Sequence, residues 1–249
     1  MVYNQVAPLP LLKDFIRCYW WLDNTTDQSL NYTILPDGCF DLIVYYQNYK
    51  LERIVLTGLY TQKLEVQITP NTQLLGIQFR LLAVDYLIQQ HIVSFFNHEK
   101  ILPNNFWDLQ TLSFKNQKAT VQYLNQKCTS LIHAQKKIDA RKVQLFQLLY
   151  QTKGSETVAW YAQQVHWSSR QINRYFKKRF GLSLKAYGNI LKCTASFKHI
   201  KKGQLAPEYN YFDQSHFIKD LKKYTGNRPK DLYKNENDRF LQLSILPNE

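Results

Sequence analysis

Apolar and polar residues change their rhythm along the 249-residue chain, and the change divides it. In the first half short apolar runs are punctuated by turn residues. Tyr32-Thr33-Ile34-Leu35 runs into Pro36-Asp37-Gly38, and Phe40 to Tyr46 follows as an aromatic and branched run. Ile54 to Leu59, Leu64 to Ile68 (closed by Pro70) and part of Leu74 to Leu82 have the same character. Short strands with regular turn signals predict a small β-barrel or sandwich. Helical spacing is read at Leu11, Leu12, Phe15, Ile16 and Tyr19, and again over Val84 to Phe96 and Lys118 to Ile132. The second half reads as helix throughout. Ala140 to Gln151 puts Val143, Phe146, Leu149 and Tyr150 on one face, and Lys153-Gly154-Ser155 ends it. The expected fold class is α+β, with a β-rich region over 1–135, an all-α region over 136–239 and a tail over 240–249.

Charge sharpens this division. The formal net charge is +13. Residues 1–135 carry 10 Lys+Arg and 10 Asp+Glu, whereas residues 136–239 carry 22 and 8. A basic excess confined to about a hundred residues attracts polyanions: DNA, RNA or an acidic membrane surface. No run approaches the roughly 18 apolar residues that a membrane span needs, and Met1 to Leu11 has no signal-peptide pattern. Cys18, Cys39, Cys128 and Cys193 are scattered without a CxxC pair, which fits a reducing cytoplasm.

The basic half repeats itself at an offset of 45 residues. Ile172 to Gly181 lies over Phe217 to Gly226, with Lys177-Lys178 over Lys222-Lys223, Gly181 over Gly226 and Lys185 over Lys230. Each unit reads as a polar cluster, a basic amphipathic helix and a glycine stop, which supplies a left-handed C-terminal cap. In the first copy Ile172, Tyr175, Phe176 and Phe180 form an apolar stripe; Arg170, Asn173, Arg174 and Lys177 form a polar one. In the second, Phe217, Leu221 and Tyr224 face in, while Ser215, His216, Lys219, Lys222 and Lys223 face out. Upstream, Val158, Tyr161, Ala162 and Val165 suggest a supporting helix, and His166-Trp167-Ser168 a turn, after which Ser168 or Ser169 can cap the next helix. That is the pattern of a helix-turn-helix. Its second helix fits a major groove about 12 Å wide, where Arg bonds guanine, Asn or Gln bonds adenine, and Lys and Ser hold phosphate. The same pattern also describes two solvated helices of an ordinary bundle.

Residues Lys142 to Lys234 resemble the DNA-binding domain of the AraC family of bacterial transcription regulators. The resemblance is carried by Tyr211-Phe212-Asp213-Gln214-Ser215-His216-Phe217, Lys222 to Gly226 and Pro229, and in the first unit by Val158 to Ala162, Ser168-Ser169-Arg170, Arg174 to Lys177 and Gly181. It implies two helix-turn-helix units joined by a linker helix, here Ser183 to Lys202. It also implies base-facing residues Arg170, Gln171, Asn173 and Arg174 in the first unit and Gln214, Ser215, His216 and Lys219 in the second. Lys177, Lys178, Lys222 and Lys223 are expected on phosphate. Lys192 stands where the family usually has Arg, and Asn210 where it has Gly. The loop after the linker is short, and Pro207 falls where a supporting helix should run, so that helix is expected to start late or be distorted. The first unit would then dominate specificity. Trp20-Trp21, Leu35 to Gly38, Asp41-Leu42-Ile43 and Gly76 to Phe79 resemble an uncharacterised domain that precedes this DNA-binding domain in many such regulators.

The implied partners are double-stranded DNA, a small-molecule effector, a second copy of the chain and, for an activator, RNA polymerase. Neither cofactor, metal nor membrane is expected. There is no GxSxG, HExxH, Walker loop or GxGxxG, and His91, His98, His133, His166, His199 and His216 lack metal-ligand spacing. Cys39, and Asp37 and Asp41 beside it, read as a buried thiol and turn chemistry. Tyr19, Trp20 and Trp21 read as core before ligand pocket. The competing functions are a DNA-targeted enzyme of unknown chemistry and a non-specific nucleic-acid-binding protein.

Overall fold

The computed structural model describes residues 1–135, 137–206, 211 and 213–246. It is α+β, and its residues form two compact units that do not follow chain order. One holds residues 1–30, 39–59 and 68–146; the other holds 31–38, 60–67 and 147–249.

The first unit is built on a six-stranded antiparallel sheet. Its strands are β1 (Val2–Val6), β2 (Ile16–Asp23), β4 (Phe40–Gln47), β5 (Lys50–Thr57), β7 (Thr72–Phe79) and β8 (Glu99–Leu102), with β3 and β6 lying outside it. The spatial order is β1-β2-β7-β4-β5-β8. Along β4, buried and half-exposed residues alternate strictly, as period-2 pleating requires of a strand with one face in the core. β7 lies at the centre and is buried on nearly every residue. Tyr19 and Trp21 of β2 face Ile77 and Leu75 of β7, which in turn face Leu42 and Val44 of β4. Tyr19 and Trp21 are fully in the core, so two of the three candidate pocket aromatics are packing residues. Trp20, on the opposite face, is half-buried and donates its indole N–H to Asp41 Oδ1 at 2.8 Å. Helix α1 (Gln117–His133) buries Thr120, Leu124, Asn125, Cys128 and Ile132, spaced at three and four residues. Tyr19 OH donates to Asn125 Oδ1 at 3.0 Å, which satisfies a polar pair inside the core.

Two expected helices are corrected here. Leu11 to Tyr19 is not one helix: Pro10–Leu12 is a single 3-10 turn, and β2 begins at Ile16. Ile16, Cys18 and Tyr19 are buried and pair with β7, and Tyr19 also pairs with Val6 of β1, so tertiary pairing overrides the helical spacing. Val84 to Phe96 is broken into the wide helical turn Val84–Ile88 and the 3-10 turn Ile92–Phe95, because Gln89 adopts a left-handed conformation at φ 51°. All four cysteines are free thiols and buried. Burial pushes the Cys128 thiol up to about 12.

The second unit combines helices with a two-stranded ribbon of β3 (Leu30–Ile34) and β6 (Leu64–Ile68). Helix α2 (Ala140–Gln151), which the boundary at 146 divides between the units, leads into α3 (Val158–Gln164), α4 (Ser169–Phe180), α5 (Leu184–Lys201), α6 (Gln214–Thr225), α7 (Pro229–Lys234) and α8 (Leu241–Ser244). The segment set apart as a tail carries α8 and buries Phe240 and Leu243. Helix α5 packs against α4, α6, α7 and α8 and is the spine of the unit. The expected distortion at Pro207 lies outside the described residues, as do Asn210 and Phe212.

Candidate nucleic-acid interface

Helix α4 is fixed at both ends by its own sequence. Ser168 Oγ accepts from the Gln171 backbone N–H at 3.1 Å, and Gln171 Oε1 accepts from the Ser168 N–H at 2.8 Å, a complete capping box. Gly181 closes the helix at φ 80°, its N–H donating to Lys177 O. Ile172, Phe176 and Phe180 are buried. Tyr175 packs edge-on against Trp167 of the preceding turn and against Phe180. Helix α3, capped by Thr157, buries Tyr161 and Ala162 and packs against α4. Helices α3 and α4 therefore form a closed apolar wedge with a polar outer face.

Helix α6 follows the same plan. It has the same 12-residue length, and both its ends lie 45 positions beyond those of α4. Asp213 Oδ1 accepts from the His216 N–H at 2.7 Å, and Gly226 closes the helix at φ 71°. A side chain at Gly181 or Gly226 would be strained in this left-handed region. Phe217, Leu221 and Tyr224 face inward, all buried. After each glycine the chain enters the next helix in the same register, through Ser183 into α5 and Arg228 into α7.

The predicted site residues fall into two groups, one on each helix. On α4, Arg170, Gln171, Arg174, Lys177 and Lys178 are exposed. Asn173 is half-buried, and its Oδ1 accepts from the Leu184 N–H at 3.3 Å, so it also caps the start of α5. Gln171 has its carbonyl engaged in the capping box, which leaves its NH2 free to donate outward. Arg170, Arg174 and Lys177 keep to one exposed stripe. On α6, Gln214, Ser215, His216, Lys219, Lys222 and Lys223 are all exposed. His216 is partly diverted, with Nε2 3.7 Å from Asp220 Oδ2 and its ring edge-on to Tyr211.

Beneath α6 lies a group of buried polar residues that periodicity did not single out. Asp220 and Lys192 are both buried. The Lys192 ammonium sits 5.2 Å from the centre of the Tyr211 ring. Burial holds its pKa below the ordinary lysine value, while the Asp220 charge opposes that shift. Burial, reinforced by Cys193 and Asp220, pushes the Tyr211 phenol well up. A carboxylate on the inner face of a helix was the available signal for Asp220, because such a residue is rarely buried without a cation nearby. Among the described residues no group of three or more His, Cys, Asp or Glu could hold a metal ion, and no helix is long and apolar enough to cross a membrane.

Residues 4–100 match a family described as Domain of unknown function (DUF6597). No curated protein matches the chain. Among solved structures, an apo variant of ToxT from Vibrio cholerae strain SCE256 aligns over 86% of this chain and 96% of its own, at 9% identity and a TM-score of 0.46. Wild-type ToxT of the same strain, bound to an unsaturated fatty acid, aligns over 92% and 98%, at 10% identity and a TM-score of 0.44. ToxT from Vibrio cholerae in a P21 crystal form aligns over 93% and 96%, at 10% identity and a TM-score of 0.41. These likenesses are distant.

Proposed function

We propose that the chain is a sequence-specific DNA-binding transcription regulator of the AraC type. Residues 136–239 carry the DNA-reading helices, and the N-terminal β-rich region senses a small molecule or mediates pairing with a second copy. The observation that carries this reading is the pair of 12-residue helices in one register, each capped, each buried on one face and basic on the other. Two such helices read successive major grooves on one side of DNA when they lie about 34 Å apart. Arg170 and Arg174 supply planar forks for guanine edges, and Lys177, Lys178, Lys222 and Lys223 supply point charges for phosphate. RNA polymerase becomes a partner if the regulator activates.

A non-specific coating protein exposes aromatic rings for base stacking along a basic groove. Here Phe176, Phe180, Phe217 and Tyr224 are buried, which favours groove reading over base stacking. The deciding experiment is selection of duplexes from a random library by the full chain, followed by a salt titration of the recovered site. An enriched motif of one or two boxes is expected, and each neutralised phosphate should contribute about −0.9 to the log–log salt slope. Salt-sensitive binding with no enriched sequence, in the presence or absence of added metabolite pools, would assign the chain to the coating class. Turnover of damaged DNA would assign it to the DNA-targeted enzymes.

A further inference from the structure

The helical unit is not made of the basic half alone. A ribbon from the first half of the chain, residues 31–38 and 60–67, belongs to the same compact unit as the recognition helices. It is held there by directed bonds. Tyr187 of α5 donates its hydroxyl to Gly38 O at 2.9 Å, and this bond is buried. The Thr194 hydroxyl, two turns further along α5, shares its proton between Ile190 O of its own helix at 2.9 Å and Pro36 O at 3.1 Å. Gln242 of α8 grips Leu35 at both backbone groups: its Oε1 accepts the Leu35 N–H and its Nε2 donates to Leu35 O, each at 2.8 Å. Thr33 donates its N–H to Arg239 O and forms a parallel bridge with Phe240. The loop is pressed onto α5 so closely that a Cβ on Gly38 would come within 3.0 Å of Leu191 Cδ2 and 3.3 Å of the Tyr187 ring. Gly38 also has φ 76°, so no other residue fits this seat without strain.

The helix so gripped is the linker between the two recognition helices, packed against both α4 and α6. Its position therefore fixes where each recognition helix points. The gripped loop runs without interruption into β4 of the sheet, since Gly38 and Cys39 are neighbours in the chain. We propose that Tyr187, Thr194 and Gln242 are positioning residues for DNA recognition. They clamp the loop Leu35–Gly38 to the linker helix and to α8 packed against it, so the paired action of the two recognition helices depends on a ribbon contributed by the N-terminal half. This rests on the DNA-binding reading above and deepens it. By linkage, DNA that favours the clamped arrangement tightens the clamp in return.

The test uses the full chain and the duplex that it selects, in two-box and one-box forms. Hydrogen exchange is followed at the Thr33 and Leu35 amides, with and without duplex. Exchange is expected to slow when the two-box duplex binds. Gln242→Ala and Thr194→Val should each weaken two-box binding by at least about fivefold, the lower end of ordinary coupling between sites. One-box binding should hold, and Thr194→Ser should restore the two-box affinity. A merely structural role would lower both affinities together. If wild-type exchange at these amides is indifferent to duplex, or both variants bind the two-box site as wild type does, the positioning role is overturned while the regulator reading stands. If the wild-type chain selects no duplex, the regulator reading itself falls and takes the positioning role with it. Should a variant fail to fold, as circular dichroism would show, the wild-type exchange measurement decides alone.

Discussion

Helices α4 and α6 are the same scaffold carrying different chemistry. Laid over each other at their shared spacing, their buried positions agree: Ile172 falls on Phe217 and Phe176 on Leu221. Their last-turn lysine pairs agree as well. The outer faces do not. Where α4 presents Arg170 and Arg174, α6 presents Ser215 and Lys219; where α4 has Asn173, α6 has Ile218. The inner contacts differ in kind too. Tyr175 of α4 packs among aromatic rings, and its counterpart on α6 is the buried carboxylate of Asp220. A guanidinium fork reads two acceptors on one base in fixed geometry, which an ammonium or a hydroxyl cannot do. On the regulator function proposed above, base reading falls mainly to the first helix and phosphate positioning mainly to the second.

The largest effects should come from the shared scaffold, where the helices ought to behave alike. Phe176→Ala and Phe217→Ala each empty a fully buried site and should cost about 3–5 kcal/mol, read by urea denaturation. A loss below about 1 kcal/mol at either site would mean that its helix is not docked as described. The outer faces come next, and there the helices should part. Arg174→Ala should cost about 1–3 kcal/mol on the selected duplex and relax preference at one base position. Lys219→Ala should weaken all duplexes alike and make the salt slope less steep by about one unit. The opposite pattern in a repeated selection would reverse the assignment of the two helices. Cap removal follows in size. Ser168→Ala and Asp213→Ala should each cost about 0.5–2 kcal/mol in thermal or urea unfolding. Asp213 should lie at the upper end, because its charge also meets the positive end of the helix dipole. Equal stability of Asp213→Ala and wild type would remove the cap from the account of α6.

What was legible in the sequence follows from how local each signal is. The boundaries of α4 and α6 were readable because caps, glycine stops and 3.6-residue spacing are properties of a dozen neighbouring residues. Strands β4 and β6 were readable for the same reason, since alternation and turn residues lie side by side. The run from Leu11 to Tyr19 misled because its spacing is compatible with a helix, while its true state depends on partners more than 50 residues away in β7. The capping roles of Asn173 and Gln171 were not legible. The family resemblance named them only as base-facing, and the bonds to Leu184 and Ser168 that occupy their carbonyls depend on where the next helix begins and how the cap closes. The ribbon was not legible at all as part of the helical unit. Pro36-Asp37-Gly38 reads as a turn between strands, and nothing near it announces that Gln242, about two hundred residues on, bonds Leu35 at both backbone groups.

The smallest expected effect lies in that ribbon. Glu65 of β6 accepts a hydrogen bond from the Thr33 hydroxyl at 2.6 Å and pairs with Lys63 at 2.9 Å. The Thr33 bond first, and the lysine second, hold its carboxyl below the ordinary glutamate range. A carboxyl with a depressed folded pKa contributes stability that is fully present above its unfolded value of about 4.3 and is lost as pH falls through the folded value. The ribbon should therefore be unaffected between pH 7 and 5 and loosen below about pH 4. The Glu65 side chain is 63% exposed, so solvent and salt screen the interaction and the change will be slight. Glu65→Gln keeps the shape and removes the titration. The stability difference between wild type and Glu65→Gln should shrink as pH is lowered from 5 to 3, and Thr33 amide exchange should follow it. A difference that stays constant across that range would show that the Thr33 bond does not depend on the carboxylate charge.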